Sequence, residues 1–114
     1  METVTRPDIR LFGSSLRSGI LVFAAMLEET YPAELASLLQ ARPTSVIRFV
    51  DELEREGILS TRLIGKERRI ALNPNYYAYV ELSALLARIG RENRQYIQIV
   101  STRRRRPRRR GKPL

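Results

Sequence analysis

The chain has 114 residues, 43% hydrophobic and 29% charged, a balance expected of one folded domain with no room for a separate catalytic unit. It contains neither cysteine nor histidine, which excludes disulfides, thiolate or imidazole metal sites and every nucleophile activated by histidine. The net charge of +9 is unevenly placed: residues 103–114 hold seven arginines, one lysine and no acid, while the other 102 carry 13 basic against 12 acidic side chains.

Residues 1–9 (METVTRPDI) are polar and read as a flexible lead-in. From 10 to 27 the pattern is helical, with Leu16, Ile20, Phe23, Ala24 and Leu27 at spacings of three and four. The run ILVFAAML at 20–27 is too short to cross a bilayer, and Glu28 and Glu29 follow it where a signal peptide would need small residues. It reads as a buried helix, so no membrane partner and a cytoplasmic location are expected, at the nucleoid if the source is prokaryotic. The segment YPAELASLL (31–39) predicts a short helix with Pro32 at its first position, where a missing N–H costs nothing. A break at 40–42 precedes a second helix over 44–56, and Gly57 ends it as a glycine able to take positive φ.

Two segments rich in branched residues flank Gly65, Lys66 and Glu67, which predicts a β-hairpin over 59–72. Asn73 is expected to cap a final helix from 75, with Tyr79, Leu82, Leu86 and Ile89 on one face. Gly90 either ends or bends it. For 91–100, Ile89, Tyr96 and Val100 suggest further helix, the preferred reading, whereas Tyr96 to Val100 also has strand character. The fold class is therefore mainly α with a small β-hairpin, a winged helix-turn-helix. It divides into a helix-and-hairpin domain at 10–74, a C-terminal helix or helices at 75–100 and a disordered arginine-rich tail at 101–114.

A short helix, a three- to four-residue turn and a second helix is the order that lays the second helix in a major groove. On 44–56, Val46, Phe49, Val50 and Leu53 cluster on one side for packing, while Thr44, Arg48, Asp51 and Arg55 lie opposite, flanked by Ser45 and Ile47. Arginine can fork onto guanine, and Ile47 can meet a thymine methyl. The acids Asp51, Glu52, Glu54 and Glu56 crowd the C-terminal half, so the N-terminal half, with its free N–H groups, is the end that enters the groove. The competing reading pairs Arg48 with Glu52 and Arg55 with Asp51 on a merely solvated face. Arg62, Lys66, Arg68 and Arg69 make the hairpin basic, suited to phosphate or minor-groove contact; an exposed edge kept soluble by charge is the alternative.

Residues 11–89 resemble the winged helix-turn-helix regulators of the ArsR/MarR type. The stretch PTSVIRFVDELEREGIL (43–59) is similar to that family's recognition helix running into its wing, and 31–39 to the helix before it. The resemblance implies a transcriptional regulator that contacts DNA through Thr44, Ser45, Ile47, Arg48, Arg62, Lys66 and Arg68, and a homodimer through the first and last helices. Leu16, Ile20, Phe23, Tyr79, Leu82, Leu86 and Ile89 are the expected dimer contacts. Two departures stand out: the cysteine and histidine ligands of metal-sensing members are absent, and Ile47 replaces a usually polar residue.

The run RRRRPRRRGK (103–112) has no apolar residue to bury and reads as an electrostatic arm, with Arg103, Arg104, Arg105 and Arg106 on DNA or RNA. The rival functions are an RNA- or ribosome-associated protein and a winged-helix adaptor for other proteins. No enzyme, metal or cofactor is expected: the close carboxylate pairs Glu28–Glu29 and Glu52–Glu56 sit on helix surfaces or ends, and there is no glycine-rich phosphate loop.

Overall fold

A computed structural model describes residues 10–105. The expected lead-in at 1–9, and Arg106 with the rest of the arm, lie outside the described residues.

Helix α1 (Ser15–Leu27) is the central element. It starts later than the apolar periodicity implied, because Gly13 takes φ 115° and Ser14 sits extended before it, its side chain accepting from the Arg17 N–H. That cap satisfies one of the first-turn donors and fixes the start. The apolar run becomes core: Ile20, Leu21, Val22, Phe23 and Ala24 are all buried. Gly19 allows α1 and α2 (Pro32–Leu39) to touch, since a Cβ there would come within 2.5 Å of Leu39 Cδ2.

Pro32 opens α2 and left-handed Gln40 closes it. Helix α3 (Pro43–Arg55) begins with Pro43 in its first turn, and Gly57 beyond it takes φ 80°, as its position required. Its inner face contributes Val46, Val50 and Leu53, each wholly buried. Strands β1 (Leu59–Ile64) and β2 (Glu67–Leu72) pair antiparallel from Leu59↔Leu72 to Ile64↔Glu67. Gly65, with φ 65°, takes the first place of the two-residue turn, where glycine suits the twist of the flanking strands. Thr30, just before α2, bridges to Ile70 through two backbone hydrogen bonds of 2.9 and 2.8 Å and so ties the wing to the helix-turn-helix.

Helix α4 (Tyr79–Glu92) starts four residues later than expected. Asn73 does not cap it: its side-chain oxygen accepts from the Asn75 N–H at 3.0 Å and its amide donates to the Gly57 carbonyl at 2.9 Å. These bonds hold 73–78 in turns. Gly90 neither ends nor breaks α4; it admits Met26 of α1, whose sulfur would lie 2.4 Å from a Cβ. Helix α5 (Arg94–Arg105) covers the segment read as further helix, with Tyr96 and Val100 buried and the Tyr96 ring edge-on to Phe23 at 5.0 Å. It also corrects the start of the tail, because the backbone of 101–105 is helical rather than disordered. Arginine is a good helix former, so a helix already nucleated and docked at Tyr96 continues into the charged run. Among the described residues no helix is long and apolar enough to cross a membrane.

Candidate nucleic-acid interface

Burying Val46, Val50 and Leu53 fixes the roll of α3, so the opposite side faces solvent. Thr44 and Arg48 are exposed there, Ser45 is half-buried and Ile47 is 39% exposed. The Arg48 guanidinium lies 5.0 Å from the Phe49 ring centre and makes no ion pair among the described residues. No side chain caps the α3 N-terminus, where Arg42 is also exposed. Arg42 went unnoticed in the sequence, although its place just before Pro43 puts its charge at the end meant to meet phosphate.

The rival pairing of Arg48 and Arg55 with the acids of their own helix is not formed. Arg17 of α1 takes Glu52 and Glu56, at 3.4 and 2.8 Å. From the wing, Arg68 takes Asp51 and Glu54, at 2.8 and 2.9 Å, and Thr61 also donates to Glu54. Every acid of 51–56 is thus engaged by a guanidinium from another element, which offsets their repulsion of a polyanion and leaves Arg48 unengaged by carboxylate.

The wing divides its cations differently. Arg68 has a side chain only 23% exposed and acts as a strut to α3. Arg69 pairs with Glu67 at 3.3 Å and lies 5.8 Å from the Tyr31 ring centre. Arg62 pairs with Glu29 at 3.1 Å across an exposed surface, a contact of the kind worth ~0.2–1 kcal/mol and readily exchanged. Lys66, exposed in the turn, has no ion pair among the described residues. Leu63 and Ile64 beside it are also exposed, at 71% and 50%. An open cleft of about 610 Å³ lies between the wing, the start of α2 and Ile47 of α3, lined by Tyr31, Pro32, Ala33, Ile47, Ile64, Lys66, Glu67 and Arg68. Ile47 therefore stands on the wing side of α3.

The arm and the expected dimer contacts fall elsewhere. Helix α5, which ends in Arg103, Arg104 and Arg105, packs on α1 and α4. Ile20, Phe23 and Leu86 are fully buried within the protomer, so they are core and not dimer contacts. Leu16, Tyr79, Leu82 and Ile89 are half-buried against that core. The correction has a simple cause: the most regular apolar face is the one the chain buries for itself. Away from α3 and the wing, the large apolar side chains exposed among the described residues are Leu11 before α1, Tyr77 before α4, Val80 and Leu85 on α4, and Ile97 on α5.

No protein-family model and no curated protein match the chain. Its fold is similar to that of a variant of ZitR from Lactococcus lactis, with a TM-score of 0.57 and 15% identity over 78% of this chain and 67% of that one. A ZitR variant solved in complex with DNA matches with a TM-score of 0.56 and 15% identity, over 88% of this chain and 68% of that one. A MarR family transcriptional regulator from Silicibacter pomeroyi matches with a TM-score of 0.54 and 16% identity, over 76% of this chain and 60% of that one. The chain thus spans about two thirds of these proteins' length, or less. With its element order, its hairpin and these likenesses, the chain has the winged helix-turn-helix fold of the MarR-type regulators.

Proposed function

We propose that the chain is a sequence-reading DNA-binding transcriptional regulator that acts as a homodimer. The observation that carries this reading is the outer face of α3: Thr44 and Arg48 stand exposed while Arg17 and Arg68 draw off all the acids of residues 51–56. Arg48 reads a base edge, Thr44 and Ser45 with Arg42 meet the flanking phosphates, and Lys66 meets the backbone beyond the groove. The arm from Arg103 adds affinity without sequence preference; if its eight charges all met phosphate they would contribute a salt-dependence slope of about −7. A second copy covers Tyr77, Val80, Leu85 and Ile97, and the two recognition helices then meet half-sites ~34 Å apart. That a ZitR variant of similar fold was solved in complex with DNA supports the DNA-binding reading at the level of the fold.

Selection of bound duplexes from a random pool tests the reading, run with the full chain and with 103–114 removed. Among the described residues Val100 is the last buried side chain, and the deletion removes none of the buried residues described. The expected result is one enriched motif, in two copies at a fixed spacing, shared by both proteins. A truncated chain that enriches nothing, or structured RNA that competes as well as the selected duplex, would falsify it.

A further inference from the structure

The cleft between α3 and the wing has a composition that phosphate contact alone does not explain. Ile47 and Ile64 line it together with Tyr31 and Pro32, and both isoleucines are substantially exposed to solvent. Its charged members are unequal. Arg68 is occupied by Asp51 and Glu54, Glu67 is held by Arg69, and Lys66 alone is without an ion pair among the described residues. The result is an apolar wall with one available cation at the wing turn.

The position of this cleft matters as much as its lining. If α3 occupies one groove of a duplex and the wing the adjoining groove, the single strand of backbone dividing those grooves must cross the gap between the two elements. That gap is the cleft. We infer that the cleft seats this sugar–phosphate segment, with Lys66 on the phosphate and Ile47 and Ile64 against the sugar, and that it selects deoxyribose over ribose. The inference rests on the DNA-reading function above. Its physical basis is desolvation: a deoxyribose offers an apolar 2′ carbon to the isoleucines, whereas a ribose would bring a hydroxyl that loses water and finds no acceptor on them. Lys66 supplies the charge complementarity that makes nucleic acid, rather than an apolar peptide, the fitting occupant.

The test uses the full chain and the duplex it selects, with single ribonucleotides moved along each strand and binding read by fluorescence anisotropy. One or two adjacent positions per half-site should weaken binding by roughly fivefold to tenfold, the cost of burying one unpartnered hydroxyl. Ile64→Ser and Ile47→Ser, each at an exposed side chain, should remove most of that penalty at the same positions while leaving the melting temperature unchanged. Ile64→Val, which keeps an apolar surface, should retain it. A flat ribonucleotide scan, or a penalty indifferent to both serine variants, overturns the inference while leaving DNA reading intact. An apolar peptide as the true occupant would appear as serine variants that alter neither the affinity nor the scan. Failure to select any duplex at all would instead bring down the parent reading, and this inference with it.

Discussion

Helix α3 and the wing both look basic on their exposed surfaces, yet they spend their charges in opposite ways. On α3 the acids are neutralised from outside, by Arg17 and Arg68, so Arg48 stays available. On the wing the arginines are themselves the neutralising groups: Arg62, Arg68 and Arg69 hold carboxylates, and Lys66 has no ion pair among the described residues. Formal charge therefore overstates what the wing gives to phosphate and understates what it gives to α3. An arginine three residues from the tip of a hairpin can belong to the helix beside it.

The sharpest way to break this contrast is at Arg48. Arg48→Ala should cost ~1–3 kcal/mol of binding to the selected duplex and relax the preference at one base pair, read by anisotropy across single-site operator variants. If the loss were equal for all sequences, Arg48 would be a backbone contact and the helix would not be the reader. Arg68→Ala comes next. It should lower stability by about 1 kcal/mol, seen as an earlier urea midpoint, because two carboxylates lose a half-buried partner. Its salt-dependence slope should stay as in the parent chain, whereas a true phosphate contact would take ~0.9 off the slope. Lys66→Ala should behave in the reverse manner, with an unchanged urea midpoint and a slope shallower by about 0.9 for every sequence tested. Arg62→Ala should move stability by less than ~0.5 kcal/mol, since its pair with Glu29 is exposed on both sides. A larger shift in thermal melting would mean that the wing is braced at Glu29 as well as at α3.

Much of the framework was legible because its signals are local. Pro32 and Pro43 open helices, Gly57 closes one, and Gly65 sits in a two-residue turn, each for a reason contained in the residue itself. The starts of α1 and α4 were misplaced because a serine cap and an asparagine turn compete with helical periodicity, and only their hydrogen bonds decide between them. The site was half legible. Periodicity found the outer face of α3, but rules for neighbours on one helix assigned its acids to Arg48 and Arg55. The guanidinium partners lie 14 to 39 residues away, from Arg68 to Glu54 at the near end to Arg17 and Glu56 at the far end. Separations of that size are visible only once the chain is folded. Three of the expected dimer contacts, Ile20, Phe23 and Leu86, are core instead, because an apolar helical stripe looks the same whether it meets its own core or a second copy.

The bridge between Thr30 and Ile70 makes the ribbon a cantilever. Ile70 pairs with Thr61, the third of the six ladder pairs, so the clamp grips the hairpin at its middle. Arg68, opposite Leu63, adds a tie to α3, and the span runs out from Arg62 through Ile64 to the turn. At ~3.4 Å per residue, three residues extend about 10 Å, close to the width of a single groove. Lengthening each strand by two residues would carry Lys66 some 7 Å further from its anchorage, beyond the first groove edge. Under the proposed function, reach is thus written in strand length, and an insertion there would change how far along a duplex the wing extends without touching α3.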